Sequence, residues 1–335
     1  VNLRDLERAW ALRQKQGIAA VSEAYRVFHG PGEASTPELK RYAIDRFGAF
    51  AWVTEWEQGG SGAELSIFEE MSRFLEAQGL QGAVVLERPK AGIPQKPRVL
   101  FGQVPSEPFS VREHDARFLI RLTDTRHPGL FLDHEPLRRW LTAHSEGWKV
   151  LNCFAYTGSL SVAAGIGGAD HVTTLDLSKP TVSWARDNWA HNGLEAGAAD
   201  FIADDVFERL PRIARQEVRY DCVILDPPSF SRGKKSNFST QKDLYKLHVQ
   251  ALMVLKPEGV IATSINSANV TREKYRAEVL RAATDCGVSL SVIEEIQLPP
   301  SFPSRDHKTD YLKGWIFKAR AGRPAAAPRK RAARG

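Results

Sequence analysis

The sequence predicts an α/β protein, a Rossmann-like, doubly wound, mostly parallel seven-stranded sheet preceded by a smaller N-terminal α+β domain. Three observations carry this expectation. From residue 126 onward, short apolar or β-branched runs alternate with amphipathic stretches of helical period. Before that point, strand-type runs follow one another with a single helical insert. The composition, 42% hydrophobic and 26% charged over 335 residues, is that of a globular chain long enough for two domains.

Taken in order, residues 2–16 are rich in helix formers, with Leu3, Leu6, Trp10 and Leu12 roughly on one face, and predict a helix. Runs 25–28, 40–46, 51–56, 83–86 and 117–122 predict strands, 63–77 a helix, and the Gly/Pro-rich stretch 88–108 a loop. These form a first domain over 1–125, with an RNA-binding or accessory role. The second domain, 126–319, reads helix 135–144, strand 149–154, helix 159–165, strand 171–176, helix 181–192 and strand 199–203. Helix 206–214, strand 220–225, helix 242–254, strand 259–264 and helix 272–286 follow, and strands 290–297 and 311–318 close it. Residues 320–335 carry six Lys and Arg and no acid, and their Ala/Pro/Arg/Gly composition builds no core, so a disordered basic tail is expected.

The other 40 basic residues balance the 40 acidic ones. The folded body is therefore neutral, and a bound polyanion must be held by a local patch, with the tail as a nonspecific nucleic-acid arm or only a solubilising end. No apolar run reaches the ~18–20 residues of a membrane span. The charged start (Arg4, Asp5, Glu7, Arg8) is unlike a secretory signal. Cys153, Cys222 and Cys286 lie far apart and suit a reducing cytoplasm. The nine histidines form no HxxxH or Cys/His cluster, so no metal is expected.

In such a sheet the turn after the first strand selects the cofactor. A nicotinamide dinucleotide needs GxGxxG there, so that backbone can pack against a pyrophosphate. Residues 150–158, VLNCFAYTG, offer only Gly158, and no Walker lysine follows. A nicotinamide oxidoreductase is thereby disfavoured, and S-adenosylmethionine fits. Asp176, eighteen residues on, is placed either to accept both ribose hydroxyls or to cap the next helix. Asp204 and Asp205 end the third strand with the same two options, the ligand group there being the adenine amine. The fourth strand ends in Asp226-Pro227-Pro228-Ser229-Phe230. Two prolines stiffen the backbone and free its carbonyls, and with an acid and an aromatic ring they suit a planar nitrogen base. A plain turn with a core phenylalanine is the alternative.

These segments together resemble class I S-adenosylmethionine-dependent RNA methyltransferases of the RlmI/RlmK group. The matching runs are GLFLDH (129–134), LNCFAYTGSLSVAAGIGGA (151–169), ADDVF (203–207) and ILDPPSFS (224–231), with AYRVF (24–28) and RYAIDRF (41–47) upstream. The front half looks like the guanine-N7 half of the bifunctional RlmKL enzymes, whereas YLKGW (311–315) looks like the cytosine-C5 RlmI enzymes. The resemblance implies Asn152, Phe154, Tyr156, Gly158, Asp176 and Asp205 around the cofactor, with Asp133 and His134 near its methionine end. Asp226, Pro227 and Phe230 would face the target base in ribosomal RNA, expected to be 23S. Glu135 stands where the group commonly has arginine, so that contact passes to Arg138 or Arg139 or is absent.

Chemistry narrows the base. Cytosine-C5 methylation needs a thiolate to add to the ring. Neither residues 226–230 nor 263–269, where such a cysteine would lie, contain one. Guanine N7 has an exposed lone pair and needs only alignment. Guanine N2 also fits, and a catalytically inactive RNA-binding protein on the same fold is the rival of a different class. Arg232, Lys234, Lys235, Lys242 and Lys246 are expected to meet RNA phosphates, and Arg305, His307 and Lys308 form a second candidate edge.

Overall fold

The computed structural model describes residues 3–56, 63–87, 96–228, 230–232, 237–239, 243–267, 269–304 and 311–321. Its first part opens with α1 (Arg4–Lys15) and the one-turn α2 (Ile18–Val21). β1 (Ala24–His29), the short α3 (Gly30–Glu33), β2 (Tyr42–Phe47), β3 (Phe50–Glu55), α4 (Ala63–Ala77), β4 (Gly82–Glu87) and β5 (Arg98–Gly102) follow. These strands form one sheet in the order β1-β2-β3-β4-β5, antiparallel except for β3 and β4, which α4 joins as a crossover. Leu6, Ala9 and Trp10 of α1 and Ile67, Met71 and Leu75 of α4 fill a core on this sheet. A hairpin, β6 (Phe109–Glu113) and β7 (Ala116–Ile120), leads to the second part.

Two expectations are corrected here. Residues 98–102 are not loop but β5, an edge strand antiparallel to β4, closed by Gly102, which adopts φ +67° and lies where a Cβ would meet the Gln81 carbonyl at 2.0 Å. The strand expected from residue 40 begins only at Tyr42, after a 3-10 turn at Glu38–Arg41.

The second part contains α5 (Glu135–His144), β8 (Lys149–Cys153), α6 (Ser159–Ile166), β9 (His171–Asp176), α7 (Lys179–His191) and β10 (Ala199–Ala203). It continues with α8 (Val206–Arg215), β11 (Tyr220–Leu225), a small ladder of β12 (Phe230–Arg232) and β13 (Asn237–Ser239), and α9 (Leu244–Leu252). β14 (Leu255–Asn266), α10 (Arg272–Asp285), β15 (Val288–Glu295) and β16 (Leu312–Ala321) end it. The seven-stranded sheet has the order β10-β9-β8-β11-β14-β16-β15, with the first five strands parallel and β16 antiparallel to both its neighbours. Leu137, Leu160, Ala164 and Trp189 cover one face, and Leu210, Leu247, Tyr275 and Val279 cover the other. Helices on both faces make the sheet doubly wound, as the alternation predicts. Strand order reverses between β8 and β11, and the crevice above that switch point is where such folds bind ligands. Among the described residues no helix is long and apolar enough to cross a membrane.

Candidate active site

A cleft of about 450 Å³ opens at the carboxyl ends of β8, β9, β10, β11 and β14. Of the residues singled out from sequence, Asp133, His134, Phe154, Tyr156, Asp176, Asp205, Asp226 and Pro227 line it, joined by Phe131, Phe207, Pro228 and Asn266. Asn152 and Gly158 are not lining residues. Asn152 is buried and its amide donates to Ser161 Oγ on α6 at 2.9 Å. The backbone of Phe230 opens β12, but its side chain lies outside the described residues. So do Lys234, Lys235, Lys242, Arg305, His307 and Lys308 and the side chain of Arg232. Lys246 is described, and its ammonium sits 5.5 Å from the centroid of the cleft-lining Phe207 ring.

The turn after β8 is bent to an unusual degree. Phe154, Tyr156 and Gly158 all adopt positive φ, at 59°, 50° and 75°. For the two aromatic residues this costs about 1–3 kcal/mol each, a strain that persists only where neighbours fix it. Three bonds fix it: Ala155 N–H donates to Leu175 O at 3.1 Å, Tyr156 N–H to Asp176 Oδ2 at 3.0 Å, and Thr157 Oγ1 to Gly129 O at 2.5 Å. Gly158 also serves the packing around the turn. A Cβ there would lie 2.7 Å from Ala185 Cβ on α7, so the glycine lets α6 and α7 pack.

Asp176 is not the cap of α7; Ser178 is, accepting from Thr181 N–H. Asp176 instead accepts from Tyr156 N–H on one oxygen and from Ser178 N–H, at 2.9 Å, on the other. The second oxygen also accepts from Thr181 Oγ1 at 3.2 Å, so these bonds orient the carboxylate and leave a further lone pair on Oδ2. Asp205 caps α8, accepting from Phe207 N–H at 2.9 Å, and lines the cleft as well.

A chain of polar groups runs along the opposite wall. Tyr311 Oη donates to Asp133 Oδ2 at 2.8 Å, and His134 Nδ1 stands 3.2 Å from Asp133 Oδ1. The other ring nitrogen, Nε2, stands 3.3 Å from Asp226 Oδ1 and 3.2 Å from Ser264 Oγ, whose hydroxyl donates to the same Asp226 oxygen at 2.6 Å. Burial alone would strip the imidazole of its proton, but the Asp226 charge and the Asp133 hydrogen bond outweigh burial and push its pKa up to about 10. For Asp133 too, burial is overcome: the His134 hydrogen bond and charge, the Tyr311 hydroxyl and the Arg26 charge hold its carboxyl well below the usual range. Arg26 reaches this wall from β1, where it is locked onto Asp45 at 2.7 and 2.9 Å. Sequence reasoning missed Ser264, Tyr311 and Arg26. The runs AYRVF, RYAIDRF and YLKGW flagged Arg26, Asp45 and Tyr311 only as part of a resemblance.

Arg138 does not reach the cleft. Its guanidinium is buried against Glu113 at 2.5 and 2.7 Å and donates to Phe131 O at 2.8 Å, while Arg139 lies 3.8 Å from Glu135. No cysteine lines the cleft. Burial pushes the Cys153 and Cys222 thiols up, and Cys286 ends α10, raised by burial and by Asp285.

The model of the S-adenosylmethionine-dependent methyltransferases matches residues 25–318. The chain belongs to that family. Its activity is methyl transfer and its cofactor is S-adenosylmethionine, which the strand-end acids and the bent turn fit. The methyltransferase is 30% identical over 259 residues to "Ribosomal RNA large subunit methyltransferase I" of Pseudoalteromonas translucida, covering 77% of this chain and 64% of that one. It is also 30% identical over 314 residues to "Ribosomal RNA large subunit methyltransferase K/L" of Shewanella baltica, covering 91% of this chain but 41% of that one. Among solved structures it is similar to SMU.776 complexed with SAH, with a TM-score of 0.84 and 27% identity over 95% of this chain and 82% of that one. That likeness takes in the seven-stranded Rossmann-like sheet of this chain described above.

Proposed function

We propose that this methyltransferase acts on large-subunit ribosomal RNA, flipping a guanine into the cleft and methylating N7. One observation carries the reading. The cleft sets strand-end carboxylates on one side against Asp226-Pro227-Pro228 on the other, and no thiol lies between them. Without a thiolate a pyrimidine carbon has no route to activation, whereas a guanine ring nitrogen presents its lone pair directly. The names of the relatives supply the RNA class.

S-adenosylmethionine supplies an electrophilic methyl group when bound. Asp176 would accept from its ribose, Asp205 would face the adenine side, and Phe154 and Tyr156 would wall the pocket, with Gly158 and Asn152 shaping the turn behind them. Asp133 and His134 would border the methionine end while holding Asp226. Asp226, aimed by His134 and Ser264, would accept from the Watson–Crick edge of the base; Pro227 would offer its carbonyl, and Phe230 would stack on the ring. Residues 1–125 would act as the RNA-binding or accessory domain, and residues 320–335 as a basic arm. A second reading, transfer to guanine N2, is favoured by one feature, the carboxylate acceptor of Asp226 at the cleft wall. Mass mapping of nucleosides from in-vitro-transcribed 23S rRNA after incubation with enzyme and cofactor tests both. N7-methylguanosine is expected; N2-methylguanosine alone would select the second reading, and a methylated cytidine would overturn both.

A further inference from the structure

We propose that the rim of the cleft formed by Phe131 and His127, flanked by Arg121 and Arg126, is a second nucleotide site. It would seat an unpaired RNA base adjacent in sequence to the one entering the cleft, and it rests on the RNA reading above.

Phe131 is 39% exposed, and among the described residues no other Phe, Tyr or Trp is classed as exposed. A lone exposed aromatic residue needs no explanation, but this one is built in. Its ring lies against His127, with centroids 3.9 Å apart and planes 31° from parallel, and Tyr156 sits 5.2 Å away on the protein side. Tyr156 in turn contacts Trp184 at 6.4 Å, and the guanidinium of exposed Arg121 lies 4.7 Å from the Trp184 ring. The result is a continuous aromatic strip, backed by packed rings, that ends in a cation. Arg126 adds a second exposed cation one residue before His127. The exposed acid nearby in sequence, Asp124, is paired with Lys96 at 2.6 Å.

That combination selects its ligand. A rigid aromatic face at a pocket mouth stacks any base, since every base has a π-face, while neighbouring guanidinia take the phosphates. A base that leaves its stack strips a partner from its neighbour, so a protein face beside the pocket that restacks the neighbour would stabilise the flipped state.

The test uses full-length enzyme and in-vitro-transcribed 23S rRNA. Phe131→Ala should raise KM for RNA by about fivefold to a hundredfold, the range expected for one lost stacking contact, with the affinity for S-adenosylmethionine held within about twofold. Phe131→Trp, which keeps a stacking face, should restore KM. Arg121→Gln should raise KM and make the salt dependence of RNA binding shallower by about 0.7 in log–log slope. An unchanged KM in Phe131→Ala would overturn the second site while leaving the RNA reading intact. A parallel loss of cofactor affinity would make Phe131 a wall of the cofactor pocket instead. If the wild-type chain transferred no methyl to RNA, both readings would fall together.

Discussion

At His134 two carboxylates compete for one imidazole, and both are served because the ring carries both protons. The consequence for stability has a definite sign. A histidine whose folded pKa is raised contributes stabilisation that is complete below about pH 6.5 and lost as pH climbs toward about 10. Asp133, depressed in the fold, contributes above about pH 4 and loses its share only as pH falls further. The urea midpoint of the enzyme should therefore decline between pH 6.5 and 10, and His134→Gln, which cannot titrate, should flatten that limb while lowering the plateau. An alkaline decline of equal slope in the variant would remove His134 from this role. At Asp176 the expectation concerns affinity. Replacing the oriented carboxylate by Asp176→Ala should weaken S-adenosylmethionine binding tenfold or more by calorimetry, since a charge-assisted hydrogen bond contributes about 1.5–3 kcal/mol.

At the scale of elements, β8 and β11 carry Cys153 and Cys222 into the sheet interior and α10 ends at Cys286, so every thiol serves packing. Replacing all three with Ser or Ala should leave measurable methyl transfer to RNA in protein shown to be folded, with about 1 kcal/mol or more of stability lost per buried site. RNA containing 5-fluorocytidine should form no covalent complex with the wild-type enzyme; a trapped adduct would return the protein to cytosine-C5 chemistry. Of the parallel strands, β8, β9, β11 and β14 were legible in the sequence because they are largely buried on both faces, and the half-exposed edge strand β10 because it falls in its place between two helices of clear period. Residues 171–176 and 220–225 fall on the expected bounds. β5 was hidden because RVLFG is a short edge strand set among glycines and prolines, too brief for its apolar Leu100 and Phe101, which pack on the first core, to show a strand period. The site divides the same way. Asp176, Asp205 and Asp226 could be found because they end strands. Tyr311 and Ser264 could not, because Tyr311 meets Asp133 across 178 residues of sequence and Ser264 meets His134 across 130, contacts that no local spacing encodes.

Across the whole molecule the two parts share an apolar seam, in which Phe47, Trp52 and Leu86 of the first sheet cluster with Phe118 and Ile120 of the hairpin and with Leu132 and Val162 beyond it. Polar bonds tie the hairpin to the helices of the second part. From α7, Asn188 and Asn192 accept from the Leu119 and Arg117 amides of β7, and the Trp184 indole donates to the Leu119 carbonyl. Arg138 of α5 and Glu113 of β6, each 3% exposed, close the same joint. Breaking a buried pair from one side strands the other charge, so Glu113→Ala should destabilise by about 3–5 kcal/mol in urea unfolding. A neutral outcome would mean that Arg138 finds another partner.

β16 fills an interior position in its sheet, between β14 and β15, although it is the last strand described. During synthesis the parallel strands emerge and dock in turn, but the place beside β14 stays open until residue 321 has cleared the ribosome. Over that interval β14 offers an unpaired edge, the kind of surface on which nascent chains aggregate. Insertion of β16 closes that edge and, through Tyr311, delivers the hydroxyl that completes the Asp133–His134–Asp226 wall.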